Sequence, residues 1–212
     1  QIYAKMSDSY GLSTAALYLN NTAIDALNKF VEAFENDVGY NKDKVLINDA
    51  YTDFATLTAK ERLTSYPDLA SGYSVRMGIT NAGTYKMGEG KYLWLEENAY
   101  RYGFILRYPS DKEAQTGVAA SSTCYRYVGT AHSVYIKNNN MTLDEYIVAV
   151  KKHDYKNPIR ITYGDVIYKV YYTPALENAS TTLVYVPSNY PYEISGNNVD
   201  GFIVTVTEQD RQ

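Results

Sequence analysis

Cysteine, histidine and tryptophan are scarce in this chain: 212 residues contain one Cys, two His and one Trp. A lone Cys124 allows no internal disulfide and no cysteine-built zinc cluster. His132 and His153 leave little material for a multi-histidine metal site. Positive charge is short as well. Twenty Lys and Arg against 24 Asp and Glu give a net charge of −4 and a pI near 5.2. A nucleic-acid partner, which usually requires a basic face, is therefore not expected. No run approaches the ~18 apolar residues of a membrane-spanning helix. No basic-then-apolar leader opens at Gln1, so export would require a targeting segment that this sequence does not include.

Tyrosine is abundant, with 24 copies within a hydrophobic fraction of 45%. With Tyr set aside, only about a third of the chain is apolar, so much of the interior must use rings whose polar tips want a hydrogen-bond partner. The length fits one full domain plus a small appendage.

Thr22 to Phe34 reads as an amphipathic helix, with Ile24, Leu27, Phe30, Val31 and Phe34 on one face. Core packing explains that stripe. Val45–Ile47 and Gly78–Ala82 read as short strands, and Thr58–Leu63 as one or two helical turns. Lys91–Tyr102 reads as a helix with Leu93, Trp94, Ala99 and Tyr102 inward and Gly103 as its stop. Phe104–Tyr108 and Tyr125–Val128 read as strands, and Thr142-x-x-Glu145 as a capping box opening a helix over Leu143–Lys151. After His153 the texture changes. Ile159–Tyr163, Val166–Tyr172, Thr182–Val186 and Phe202–Val206 are rich in Val, Ile, Thr and Tyr, which suits strands. The expected organisation is a main domain over residues 1–153 and a small all-β appendage over residues 154–212.

Three stretches together resemble a known family. Trp94–Pro109 (WLEENAYRYGFILRYP) resembles the Trp-Leu-x-x-Asn-Ala-x-x-Tyr-Gly-Phe-x-x-Arg-Tyr-Pro segment of bacterial D-alanyl-D-alanine carboxypeptidases. These are zinc metallopeptidases of the vancomycin-resistance type, sharing their fold with the hedgehog signalling domain. Lys112–Val118 with Tyr125–Gly129 resembles the block that follows, and Thr142–Tyr146 resembles the closing helix. Val45–Phe54 looks like the strand and Ser-Gly-Tyr-Arg turn upstream. The resemblance is strongest over residues 45–150. It implies a mixed α+β domain with a small antiparallel sheet, flanking helices and a zinc ion in a groove. Active members take His and Asp ligands from Ser-x-His-x-x-Gly-x-Ala-x-Asp and a second His from Glu-Pro-Trp-His, whose Glu is the base. Such a site leaves one zinc position open for water, which the metal acidifies and the carboxylate deprotonates.

This chain departs from that pattern at each position. Counted back from Gly129, the second motif reads Ser121-Ser122-Thr123-Cys124, with Ser121 at the base and Cys124 at the ligand. Anchored on Gly78, the first motif puts Val75 at the His and Ala82 at the Asp. Anchored on Ser74 with a one-residue deletion, it puts Arg76 at the His. Thr52 stands where the family has the Arg that holds the substrate carboxylate. Zinc, expected for the family, is therefore predicted absent, and no catalytic set is assigned. Two alternatives remain. One is an active peptidase with a repositioned metal using His132, or with Cys124 as nucleophile. The other is a structural or adhesive surface module. The leading expectation is a degenerate relative at the bacterial cell envelope, extracellular, that binds a peptidoglycan stem peptide or another extracellular peptide. Its groove would be lined by Tyr51, Thr52, Tyr73, Ser121, Cys124 and Tyr125. Arg107 and Arg126 are expected to hold the fold through ion pairs, and His153 to sit solvated at a helix end.

Overall fold

The structure is a computed structural model that describes residues 1–2, 10–38, 44–60, 62–80 and 85–209. It divides into two compact units, Gln1–Ser133 and Val134–Gln212. The division falls before the boundary expected after residue 153, so the helix opened by Thr142 groups with the C-terminal sheet.

In the first unit, α1 (Asn21–Val38) begins where the Asn20 side chain accepts a hydrogen bond from the Thr22 amide at 3.0 Å, a frequent way to satisfy a helix's first free donors. Its stripe of Ile24, Leu27, Phe30, Val31 and Phe34 is buried. This face packs on a five-stranded sheet ordered β1-β2-β3-β5-β4. The strands are β1 (Tyr10–Leu12), β2 (Val45–Asp49), β3 (Ser74–Ile79), β4 (Phe104–Tyr108) and β5 (Ser121–Tyr127). Only β1 and β2 run parallel; the other neighbours are antiparallel. The Phe30 ring lies 5.6 Å from Tyr102, 5.7 Å from Phe104, 6.0 Å from Tyr125 and 6.2 Å from Trp94. The tyrosine surplus is therefore partly spent as core volume. β1 was not legible in the sequence, because three residues carry no measurable period.

Short helices connect the strands: α2 (Phe54–Ala59), capped by Asp53, then α3 (Leu93–Asn98) and α4 (Glu113–Thr116). The expected Lys91–Tyr102 helix is broken into 3₁₀ turns at Gly90–Tyr92 and Ala99–Tyr102 around α3. The tighter winding alters which residues face inward. Tyr92 and Leu95 are buried, whereas Leu93, expected inward, is exposed. The second strand expected, Gly78–Ala82, starts earlier, at Ser74.

α5 (Thr130–Asn138) follows β5. In the second unit α6 (Leu143–Val150) opens with the capping box: Thr142 Oγ1 accepts from the Glu145 amide at 3.1 Å, and Glu145 accepts from the Thr142 amide at 2.8 Å. An antiparallel sheet ordered β6-β7-β9-β8 follows, built from β6 (Ile159–Tyr163), β7 (Val166–Pro174), β8 (Tyr192–Gly196) and β9 (Gly201–Gln209). The expected strand Thr182–Val186 does not join it. Val184 and Val186 instead pack on the cluster of Tyr171, Val204 and Val206, while the Tyr171 hydroxyl donates to the Tyr185 carbonyl. The alternating pattern is satisfied by packing without a ladder, and β8 takes the edge.

Candidate functional site

Paired residues of antiparallel strands present their side chains to the same face, and alternate residues to opposite faces. β3 pairs with β5 as Ser74↔Arg126, Val75↔Tyr125 and Arg76↔Cys124. Val75 and Tyr125 belong to the core cluster that also contains the α1 stripe. Ser74, Arg76, Cys124 and Arg126 consequently share the other face. Val75 is buried in the core and faces away from Cys124, whereas Arg76, the other register considered for the first motif, is the cross-strand partner of Cys124. Tyr125 is a core residue behind Phe30 and lines no groove. Ala82 lies outside the described residues.

The second face carries two guanidinium–carboxylate clusters. Asp49, beside an irregularity in the β2–β3 register, accepts both Arg62 Nη1 and Nη2 at 2.9 Å, and Arg76 Nη1 at 2.6 Å. The Arg76 guanidinium also lies 4.3 Å from the centre of the Tyr66 ring, close enough for a cation–π contact. Asp68 comes from a 3₁₀ turn, Pro67–Ser71. It accepts Arg107 Nε at 3.3 Å and Arg126 Nη1 at 3.0 Å, and the buried Ser74 hydroxyl donates to it as well. Burial alone would raise the Asp68 pKa, but Arg126, Arg107 and Ser74 outweigh it and hold the carboxyl below its usual range. Asp49 is shifted the same way, with Arg62 and Arg76 overcoming its desolvation. Arg107 and Arg126 thus form the ion pairs the sequence led us to expect.

Cys124 is fully buried under this layer. Burial, assisted by the Asp68 charge, pushes its thiol up to about 12. It is a neutral thiol near pH 7, unsuited to act as a nucleophile, which requires a thiolate. Asp68, Arg107, Arg76 and Arg126 act on its charge. Ser121 pairs with Tyr108 across an irregularity in the β4–β5 register, its hydroxyl 3.0 Å from Thr123 Oγ1. Thr52 turns its hydroxyl onto the Ala50 carbonyl at 3.1 Å.

The other expected groove residues do meet. Tyr51 and Tyr73 line a cleft of about 290 Å³ together with Tyr18, Leu19, Asn20, Ser71 and Gly72. The Tyr51 amide donates to the Tyr18 carbonyl, and the Asn20 amide to the Gly72 carbonyl, each at 2.9 Å. Gly72 has φ +73°, and a Cβ there would meet the Tyr51 ring at 3.8 Å. The strained backbone, more than crowding, is what favours glycine here. Tyr73 links cleft and charged layer: its hydroxyl accepts from Asn20 Nδ2 at 3.2 Å, and its ring lies 5.4 Å from the Arg126 guanidinium. Asp49, Arg62, Tyr66, Asp68 and Tyr18 were missed from the sequence. The alternation Ser74-Val75-Arg76-Met77 was the available signal, since it marks a strand with one polar and one apolar face.

The fold and this strand-borne site define a D,D-peptidase-like α+β domain. A family model described as VanY, D-alanyl-D-alanine carboxypeptidase, matches residues 69–130. A D-alanyl-D-alanine carboxypeptidase of Enterococcus faecium is 35% identical over 210 residues, which is 95% of this chain and 66% of that relative. One from Enterococcus faecalis is 45% identical over 69 residues, 32% of this chain and 26% of the relative. The vancomycin-resistance D,D-dipeptidase VanXYg, solved with a D-Ala-D-Ala phosphinate analogue, superposes with a TM-score of 0.78 at 24% identity over 90% of this chain and 82% of that one. VanYB in complex with D-alanine-D-alanine gives 0.53 at 25% identity, over 63% and 84%. The chain belongs to the D-alanyl-D-alanine carboxypeptidase family. It spans just under two thirds of the E. faecium relative's length.

The residues at the cross-strand pair do not suit zinc. A guanidinium is permanently charged and offers no lone pair to a metal. Cys124 could supply one thiolate, but a zinc site needs at least three protein ligands. Among the described residues no three His, Cys, Asp or Glu side chains converge as a ligand set.

Proposed function

We propose that this chain is a catalytically degenerate D-alanyl-D-alanine carboxypeptidase-like protein that binds a peptidoglycan stem peptide, or another extracellular peptide, without hydrolysing it. The carrying observation is the pair Arg76↔Cys124. It occupies the two strand positions where the resemblance puts histidine ligands; a guanidinium offers no lone pair, and one cysteine by itself is not a zinc ligand set. With Ser121 at the position of the base, no carboxylate stands there to deprotonate water. The tyrosine-walled cleft, whose Tyr73 ring lies 5.4 Å from the Arg126 guanidinium, supports retained peptide binding, because aromatic walls with hydroxyls suit a ligand with both polar and apolar surface. VanYB, which holds D-alanine-D-alanine, is a structural relative. A wall peptide lies outside the membrane, so this reading places the protein at the bacterial cell envelope.

Zinc analysis of purified protein and a D-alanine release assay with and without chelator test the catalytic half. The expected result is no stoichiometric zinc and no release. One zinc per chain with chelator-sensitive release would overturn it. Calorimetric titration with a peptide ending in D-alanyl-D-alanine tests the binding half. The absence of heat at millimolar ligand would count against it.

A further inference from the structure

Arg76 and Arg126 share one sheet face on adjacent strands, flanking Cys124. Each has its Nε buried with no hydrogen-bond partner among the described residues. Each spends an Nη1 on a carboxylate, and Asp49 serves Arg62 and Arg76 at once. One carboxylate between two guanidiniums leaves that triad with one positive charge, in a chain whose net charge is −4. Buried polar groups are nearly always paired, and an orphaned guanidinium N–H is costly unless an acceptor reaches it. The Arg76 and Arg126 side chains retain 24% and 16% exposure, so they are not sealed from solvent. Tyr73 carries the cleft to the edge of Arg126.

We propose that Arg76, assisted by Arg126, is an oxyanion-binding site that takes the C-terminal carboxylate of the bound peptide without a metal. This deepens the reading above: a fixed guanidinium supplies positive charge at the position where the family places a metal ligand. The assignment falls on Arg76 because Thr52, at the family's carboxylate-binding position, has no charge and bonds to its own loop. Guanidinium N–H pairs match a carboxylate's two oxygens, and charge assistance makes such bonds stronger than neutral ones.

The test is calorimetric titration in the presence of chelator with three probes: a peptide ending in D-alanyl-D-alanine, the same peptide as its C-terminal amide, and inorganic phosphate. The free acid is expected to bind about tenfold or more tightly than the amide, a preference that added salt weakens. Phosphate is expected to compete with the acid. Arg76→Gln should bring the acid down to the amide's affinity and leave the amide unchanged, and Arg76→Lys should restore part of the difference. Equal binding of acid and amide by the wild-type protein would overturn the proposal, as would an acid-to-amide ratio unaltered by Arg76→Gln. If Arg76→Gln fails to fold by circular dichroism, the wild-type ratio and Arg126→Gln decide. Binding of neither peptide would sink the peptide-binding function instead. The site would then stand or fall on whether phosphate shifts the Arg76 and Arg126 Nε–Hε resonances.

Discussion

Asp68 anchors three side chains from three strands: Ser74, Arg107 and Arg126. Arg107, Arg126 and Asp68 are only 10%, 16% and 13% exposed at their side chains. Removing the charge would leave two largely buried guanidiniums without their carboxylate. Asp68→Asn is therefore expected to lower unfolding free energy by about 3–5 kcal/mol, measured by urea denaturation. A loss below ~1 kcal/mol would mean that the guanidiniums re-pair or reach water. Cys124 offers a second residue-scale check. Its thiol is fully buried and pushed up to about 12. The native protein should resist alkylation by iodoacetamide at pH 8 and react fully once unfolded. Fast stoichiometric labelling of native protein would place the thiol in an open groove and revive it as a nucleophile.

At the scale of elements, α1 and α6 show two different sources of helix stability. The eighteen residues of α1 are held by one apolar face, centred on Phe30 and its four aromatic neighbours. Phe30→Ala should cost about 3–5 kcal/mol, because the surrounding rings cannot collapse fully into the space. Differential scanning calorimetry should show the drop as a lower Tm. α6 has eight residues and relies more on its start. Thr142→Ala deletes half of the capping box and should cost about 1 kcal/mol in chemical denaturation, with Thr142→Ser close to neutral. A neutral Thr142→Ala would show that packing of Tyr146 and Val150 alone fixes the helix.

At the scale of the whole molecule, the charged face makes stability depend on pH. Asp49 and Asp68 both have folded-state pKa values below their usual range. Their contribution is complete above the unfolded carboxylate value near 4 and is lost as pH falls through the lower folded values. The half-buried His132 ring is pushed down to about 4 by desolvation. Between its usual value of about 6.5 and 4 the unfolded chain binds the extra proton, so stability already declines across that window. Unfolding midpoints measured from pH 7 to pH 3 should fall in two stages. His132→Gln should flatten the upper stage, and Asp49→Asn the lower. A pH-independent midpoint down to 3 would contradict both assignments.

The sequence by itself determined the family, the α1 stripe, the α6 capping box, the family-like strands β4 and β5 and three of the C-terminal strands, β6, β7 and β9. Each of these is local: a period, a cap or a contiguous motif fixes it within a dozen or so residues. It also supports the proposal that Cys124 and Ser121 stand at a ligand and a base position, because the stretch resembling the family motif is contiguous up to Gly129. It did not choose between Val75 and Arg76, since the first motif carries a deletion and a slip of one residue in a strand turns every side chain to the opposite face. Only the tertiary pairing of β3 with β5 settled that Arg76 stands opposite Cys124 while Val75 and Tyr125 face α1. The same holds for Asp49, Arg62 and Asp68. They are ordinary charged residues in strand-end and turn-rich stretches until folding brings them onto one polar face, where scarce water and shared carboxylates make their charges count.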